Sequence, residues 1–306
     1  MHQEETDKIF MRRCLQLAAN GLGRVRPNPM VGCVVVDAAG TILSEGYHQE
    51  YGHYHAERNA LLREGPFEGA TLYVNLEPCS HYGKTPPCAD LIVEKGIRRV
   101  VCCNDDPNPL VAGRGFEKLE KAGIEVVRHV MEAEGRRLNR RFFTYMEQQR
   151  PYVILKWAES ADGFMAPDGD GPYWISTQEQ NRLNHRWRTE EAAILVGSET
   201  YLRDRPRLTP RHWLGPAPLP VVLDRRRRIA DVPSGWLHLS CPTVEATLQA
   251  LFERQVQSVI VEGGRKILDA FIASGLYDEV RVLRSDARLH TGLPAPSGYR
   301  CTRSSE

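Results

Sequence analysis

Short apolar runs alternate with segments of helical periodicity along almost the whole chain, and this alternation constrains the fold more than any other feature. The apolar runs are short and rich in Val, Ile and Leu, which predicts strands, and several of the intervening segments end at glycine, as helices do. In the first half the predicted elements are helix Lys8–Asn20, a hairpin of strands Val31–Asp37 and Thr41–Gly46, helix His55–Glu64, strand Ala70–Leu76, helix Cys88–Lys95, strand Arg99–Cys103, helix Gly115–Ala122, strand Ile124–Val127 and one long helix, Ala133–Met146. Strands and helices that alternate in this way form layered α/β structures.

A polar segment, Glu147–Pro151, interrupts the alternation before a second series begins. The elements predicted there are strand Tyr152–Ala158, helix Gln178–Glu190, strands Ala193–Gly197 and Leu219–Asp224, helix Val244–Arg254, strand Ser258–Glu262, helix Lys266–Ser274 and strand Glu279–Leu283. At roughly 100–200 residues per domain, a chain of this length holds two domains, which we place at residues 1–148 and 149–306. Because proline has no backbone N–H to donate to a neighbouring strand, Pro294 and Pro296 argue against a further central strand. We therefore expect the strand Glu279–Leu283 near a sheet edge, and weak order after about Pro294.

Charge and composition exclude several classes of protein. The 306 residues carry 40 basic and 39 acidic side chains, a formal net charge of +1 that lacks the electrostatic signature of a general nucleic-acid binder. No apolar run approaches the ~18 residues of a membrane span, and the charged N-terminal segment is predicted to be an amphipathic helix instead of a signal peptide. We therefore expect a cytoplasmic protein whose eight cysteines are reduced, as buried residues or metal ligands. Arginine (33) far outnumbers lysine (7). Because arginine is the better bidentate partner for phosphate, a phosphorylated small molecule stays open as a ligand.

One group of residues in the first half has the composition of a zinc site. His55 and Glu57 open a predicted helix, and Cys79 and Cys88 each follow proline, nine residues apart. One imidazole and two thiolates occupy three tetrahedral positions of zinc and leave the fourth for water, which the metal activates, while a carboxylate that is not a ligand moves protons. The alternatives are an acidic residue in a first helical turn that compensates the helix dipole and two buried free cysteines. We predict His55, Cys79 and Cys88 as ligands and Glu57 as the proton-transfer residue.

The same region resembles a known family. The segments Pro27–Gly32, His55–Glu57, Leu76–Cys88 and Asp106–Pro109 are similar to the deaminase half of the RibD family, bifunctional deaminase–reductases of riboflavin biosynthesis. The resemblance implies a cytidine-deaminase-like three-layer α/β/α domain that hydrolyses the 2-amino group of 2,5-diamino-6-ribosylamino-4(3H)-pyrimidinone 5′-phosphate. It also implies substrate contacts from Asn28, His48, Lys84, Thr85 and Asn108.

The second half lacks the G-x-G-x-x-G fingerprint of a Rossmann domain but has another phosphate-binding candidate. An apolar strand runs into Gly263 and Gly264 and then into a helix, whose first backbone N–H groups could bind phosphate. A plain tight turn is the alternative.

This half resembles the RibD reductase domain. The similar segments, in order, are Lys156–Gly163, Trp174–Ser176, Arg188, Ala193–Gly197, Thr200, Asp204–Arg211, Val222–Asp224 and Glu262–Gly264. The resemblance implies a dihydrofolate-reductase-like α/β domain that uses NADPH to reduce the ribosyl group to ribityl, giving 5-amino-6-(5-phosphoribitylamino)uracil. The cofactor residues that it implies are Glu159, Trp174, Thr200, Asp204, Arg225 and the segment Gly264–Ala270, which includes Arg265 and Lys266. The implied substrate residues are Arg188, Leu208, Arg211 and Glu262.

The chain departs from the family pattern in the second half. Pro172 and Arg225 stand where serines are common, and the domain is expected to be shortened after Leu283. The run Arg225–Arg228 is interpreted either as a solvated turn or as a cradle for the 2′-phosphate of NADP. Two alternatives to a bifunctional homo-oligomeric enzyme stay open: a deaminase with a non-catalytic C-terminal binding or dimerisation module, and a structural zinc module that binds RNA.

Overall fold

The computed structural model describes residues 3–81, 86–108, 112–169, 173 and 175–300. The chain divides into two compact units, residues 1–148 and 149–306. No helix within the described ranges combines the length and the apolarity needed to cross a membrane.

The first unit contains a mixed sheet between helices. Its elements are α1 (Gln3–Ala19), β1 (Gly32–Val36), β2 (Ile42–Tyr47), α2 (Ala56–Leu61), β3 (Thr71–Val74), α3 (Cys88–Glu94), β4 (Arg99–Cys102), α4 (Arg114–Lys121), β5 (Glu125–Val127), α5 (Glu132–Leu138) and α6 (Arg140–Gln148). The strand order is β2-β1-β3-β4-β5. The predicted hairpin is confirmed by the antiparallel pairing of β1 with β2, and β3, β4 and β5 run parallel.

Alternating strand residues supply the two apolar faces of this sheet. Val35 and Leu72 pack in a cluster with α2, α3 and α4, whereas Val34 and Tyr73 pack with α1. Because successive side chains of a strand point to opposite faces, the sheet is covered on both sides, which confirms the predicted three layers.

The single helix predicted over Ala133–Met146 is wrong, because Asn139 divides it into α5 and α6. Asn139 is buried, and its side chain accepts a hydrogen bond from the Met30 N–H (2.8 Å) and donates one to the Met30 carbonyl (2.9 Å). Its backbone leaves the helical region, with φ −95° and ψ 24°. A buried amide must satisfy both of its polar ends, and here the partner lies far away along the chain.

The second unit is built on a parallel sheet. Its elements are β6 (Tyr152–Glu159), β7 (Phe164–Ala166), α7 (Gln178–Glu190), β8 (Ala193–Gly197), α8 (Ser198–Asp204), β9 (Leu219–Leu223), β10 (Leu237–Leu239), α9 (Val244–Phe252), β11 (Ser258–Val261), α10 (Arg265–Ser274), β12 (Glu279–Arg284) and β13 (Leu293–Pro294). The main sheet has the order β10-β9-β8-β11-β6-β12, and β13 pairs separately with β7. Helices α9 and α10 pack on one face, and α7 and α8 on the other.

The sequence-based prediction omits four short elements of this unit: β7, α8, β10 and β13. The expected edge position of the Glu279–Leu283 strand is confirmed, since β12 ends the sheet. The expected weak order after Pro294 is wrong for residues 295–300. Tyr299 packs edge-on against Trp157 with ring centroids 5.1 Å apart, and the Ala295 N–H donates to the Gly163 carbonyl at 2.8 Å.

Candidate active sites

Three side chains of the first unit form a candidate metal centre: His55, Cys79 and Cys88. His55 occupies the N-cap position of α2 without a side-chain capping bond, Cys88 begins α3, and Cys79 lies in the loop after β3. The His55 Nδ1 atom is 3.5 Å from each of the two sulfurs, and the three donor atoms all lie within 4.8 Å of one another. Zn–N and Zn–S bonds of ~2.0 and ~2.3 Å at a tetrahedral angle separate nitrogen from sulfur by about 3.5 Å. The three donors therefore have the spacing that a zinc ion requires.

The protonation of this centre also suits a metal. Hydrogen bonds from Cys88 and His55 lower the pKa of the Cys79 thiol to about 4, and the contact with Cys79 raises the pKa of His55 to about 8. The pKa of Cys88 is raised, because its thiol bonds to the Cys79 sulfur. Because zinc binds thiolate and neutral imidazole, its binding would displace the protons held by Cys88 and His55.

Glu57 lies beside the metal centre with one oxygen free. Its side chain is buried, and its Oε2 atom has no hydrogen-bond partner among the residues that the structure describes. Burial raises the pKa of Glu57 to about 6. A buried carboxyl group that can gain or lose a proton near neutral pH, with an unused oxygen, has the properties of a general acid–base.

Two of the predicted substrate residues meet at this centre. The His48 Nδ1–H donates to the Tyr54 carbonyl (3.0 Å), and His48 Nε2 accepts from the Asn28 amide (3.1 Å). The His48 ring packs edge-on against His55, with centroids 5.5 Å apart, and burial lowers the pKa of His48. The structure therefore brings Asn28 and a neutral His48 to the metal centre.

Of the other predicted substrate residues of this unit, the structure describes Asn108 alone. The Asn108 N–H donates to Asp106 Oδ1 (2.8 Å), and burial raises the pKa of Asp106 to about 6. Lys84 and Thr85 lie outside the described residues.

In the second unit, Glu262 lies between two buried cations. It accepts a hydrogen bond from Arg188 Nη2 (2.8 Å), and Lys156 Nζ is 3.8 Å from its other oxygen. Although burial opposes ionisation, the charges of Lys156 and Arg188 hold the pKa of Glu262 below its usual value. Within the described chain, four buried atoms around this cluster lack hydrogen-bond partners: Glu262 Oε1, Arg188 Nε, His185 Nδ1 and Asn184 Oδ1. Several buried polar atoms without hydrogen-bond partners in one place are typical of a ligand-binding site. The sequence reasoning gave no role to Lys156 or His185.

A second group of predicted residues lies where the strand order reverses. From β8 the chain proceeds to β9 on one side, whereas β11 lies on the other side, so the carboxyl ends of β8 and β11 form a switch point, which is where open α/β sheets bind ligands. Thr200 and Gly264 meet there, since the Gly264 N–H donates to Thr200 Oγ1 at 3.0 Å. A Cβ on Gly263 would lie 2.0 Å from a methyl carbon of Ile267, so any larger residue there would displace that side chain. The edge fits the phosphate-bearing part of a dinucleotide.

The remaining predicted cofactor and substrate residues have other surroundings. Glu159 is buried and accepts hydrogen bonds from Trp157 Nε1 and Arg284 (both 2.8 Å), and Arg265 bonds to Asp269. Asp204 pairs with Arg203, and Lys266 with Glu199 (3.1 Å). Leu208 is buried in the core, Arg211 and Arg225 are exposed, and Trp174 lies outside the described residues. Their roles stay predictions.

Comparisons with known proteins agree on both units. Residues 4–104 match the family model of the cytidine and deoxycytidylate deaminase zinc-binding region, and residues 151–285 match that of the RibD C-terminal domain. The riboflavin biosynthesis protein RibD of Aquifex aeolicus is 39% identical, with 94% of this chain and 89% of that protein covered. RibD of Escherichia coli is 36% identical, with coverage of 94% and 91%.

A solved structure is similar over nearly the full length. The diaminohydroxyphosphoribosylaminopyrimidine deaminase/5-amino-6-(5-phosphoribosylamino)uracil reductase of Thermotoga maritima superposes with a TM-score of 0.89. It is 39% identical, and the match covers 98% of this chain and 92% of that one.

Proposed function

Since the chain belongs to the RibD family of bifunctional deaminase–reductases of riboflavin biosynthesis, we propose that its two units act in turn on one pyrimidine nucleotide. The first unit, residues 1–148, hydrolyses the 2-amino group of 2,5-diamino-6-ribosylamino-4(3H)-pyrimidinone 5′-phosphate. The second unit, residues 149–306, then reduces the ribosyl group to ribityl with NADPH. The observation that carries the proposal is the buried Glu57 Oε2, which has no partner among the described residues and lies beside three donors at zinc spacing.

In the deaminase half, the metal centre would hold zinc and Glu57 would move protons. Zinc held by one imidazole and two thiolates supplies Lewis acidity and a water of lowered pKa. Glu57 would accept a proton from the attacking water and give a proton to the departing amino group, so that the carbon–nitrogen bond breaks and ammonia leaves. Asn28 and the neutral His48 would orient the pyrimidine, and Asn108, Lys84 and Thr85 would bind the rest of the nucleotide.

In the reductase half, the Glu262 cluster and the β8–β11 edge support separate roles. NADPH supplies a hydride for the ribosyl C1′, and Thr200 and Gly264 would bind this cofactor at the switch point. The Arg188 guanidinium, fixed by Glu262, and the exposed Arg211 would bind substrate, including the 5′-phosphate. Association into a homo-oligomer and a cytoplasmic location stay predictions; the seven described cysteines are free, which suits a reducing compartment.

The test separates the two steps in the full-length protein. Ammonia release from the diamino substrate without NADPH measures the first step, and NADPH oxidation with the already deaminated compound measures the second. Glu57→Gln should abolish only the first activity, and Glu262→Gln should impair only the second. Ammonia release without NADPH oxidation would favour a non-catalytic C-terminal module. Absence of both reactions in zinc-loaded protein would contradict the proposal.

A further inference from the structure

A single carboxylate connects the Cys79 segment to the loop that carries Asn108. Glu77 lies two residues before Cys79 and is buried. Its Oε1 atom accepts a hydrogen bond from the Gly115 N–H (2.9 Å), and its Oε2 atom accepts from the N–H groups of Gly113 (3.0 Å) and Asp106 (3.4 Å). The sequence assigns no role to this residue.

These bonds join the segment after β4 to the start of α4. Asp106 lies in that segment, Gly113 is the N-cap of α4, and Gly115 lies in the first turn of the helix. The N-cap of α4, Gly113, has no side-chain cap of its own, so Glu77 supplies from another segment the negative charge that a helix N-terminus favours.

The glycine of this helix start permits the contact. A Cβ on Gly115 would lie 2.1 Å from the Pro78 carbonyl oxygen, so no other residue can bring α4 this close to the Cys79 segment. On the loop side, the Glu77 N–H donates to the Asn104 carbonyl at 3.0 Å. Backbone and side-chain bonds of Glu77 therefore hold the loop from both sides.

We propose that Glu77 is a positioning residue of the deaminase, which holds Asn108 in the place where it binds the nucleotide beside the metal centre. The inference rests on the proposed function, since Asn108 is there a substrate contact. The Glu77 carboxylate touches backbone amides of the loop and acts on substrate through Asn108. Misplacement of a binding group by ~1 Å can cost as much as ~100-fold.

The experiment is a double-mutant cycle in the full-length, zinc-loaded protein. Gln at position 77 keeps the size of Glu but has one oxygen, so its NH₂ group must face at least one backbone donor. Glu77→Gln should raise the KM for the diamino substrate by about tenfold or more and change kcat by less than about threefold. In an Asn108→Ala background the same substitution should add less than about twofold, because its effect acts through that residue.

Controls separate positioning from general damage. Glu117→Gln removes a charge from an exposed site on the same helix and should leave KM unchanged. Zinc content and NADPH oxidation with the deaminated compound should stay at wild-type levels in Glu77→Gln. If that variant loses zinc, Glu77→Asp, which keeps the charge but shortens the reach, decides: raised KM with full zinc supports the inference.

Three results would overturn the inference. The first is an unchanged KM in Glu77→Gln, or in Glu77→Asp where the Gln variant has lost zinc. The second is a fall in kcat at constant KM, and the third is a double variant whose KM increase equals the product of the increases in Glu77→Gln and Asn108→Ala. Failure of the proposed function would give other results: the wild-type protein would release no ammonia, or Asn108→Ala alone would leave KM unchanged.

Discussion

Replacement of Glu57 by Gln should affect catalysis and stability in opposite directions. The side chain is 3% exposed and has an unpartnered Oε2 among the described residues, so Gln fits the same space but cannot carry a proton. A general acid–base group supplies ~10²–10⁴-fold in rate, which is about 3–5 kcal/mol of barrier at 1.36 kcal/mol per factor of ten. We expect ammonia release to fall by that factor while zinc content stays unchanged.

The effect on stability follows from the raised pKa. Burial raises the pKa of Glu57 from 4.5 to about 6. A carboxyl group with a raised pKa contributes stability that is complete below its unfolded pKa and is lost as the pH rises through the folded pKa. At 1.36 kcal/mol for each pKa unit, the loss is about 2 kcal/mol by neutral pH. Gln does not ionise, so the free energy of unfolding of the variant does not fall in this way as the pH rises.

The measurement uses zinc-free protein, because a nearby cation would favour the carboxylate. Urea unfolding of wild type and Glu57→Gln is followed by far-UV circular dichroism at pH about 4 and about 7.5. The free energy of unfolding of the variant, relative to wild type, should rise by about 2 kcal/mol between the two pH values. All five tryptophans belong to the second unit, so their fluorescence should not distinguish the two proteins. A pH-independent difference, or a loss of activity below tenfold, would refute the reasoning.

Three further outcomes are expected. Alanine at any one of the three donors of the metal centre should remove zinc, measured by metal analysis, whereas Cys102→Ala, at a buried thiol outside the centre, should keep it. The reductase should prefer NADPH to NADH, and Arg228→Ala, which removes an exposed guanidinium held by Ser198 at 2.8 Å, should reduce the preference by about 1.5–3 kcal/mol; equal kcat/KM for both cofactors in wild type would argue for a solvated turn. Asp7→Ala leaves the buried Arg99 without the carboxylate that bonds both of its terminal nitrogens at 2.8 Å. Arg99 keeps Glu125 beside its Nε (3.0 Å), so the first unit should lose about 1–3 kcal/mol, seen by circular dichroism as an earlier transition. An unchanged transition would mean that Glu125 alone compensates the guanidinium.

Elements with local signals could be predicted from the sequence. The helix Gln178–Glu190 was predicted with its observed bounds, and its start has a capping box in which Thr177 and Gln180 bond reciprocally. The short strands β7 and β13 have no such signal, because two or three residues show no periodicity and each strand pairs with a partner far away along the chain. Predictions succeed where the determinants of an element lie within that element.

The same distinction applies to the sites. The metal centre could be predicted because its donors begin helices or follow proline, and their residue types are those that zinc prefers. Lys156, in contrast, is one cation in an apolar strand. The parallel register that pairs Leu155 with Val261 places Lys156 beside Glu262, and no local pattern contains that register.

The C-terminal segment shows how a correct local argument leads to a wrong conclusion. Proline does prevent a central strand there, and β13 is a two-residue pairing outside the main sheet. A segment can, however, be ordered without the hydrogen-bond ladder of a sheet. The Tyr299 ring packs against Trp157 of β6, and the Arg300 N–H donates to the Tyr277 hydroxyl at 2.7 Å. An aromatic contact contributes without regular backbone pairing. The segment is fixed by this contact and by single backbone bonds, to partners that no reading of residues 295–300 alone could identify.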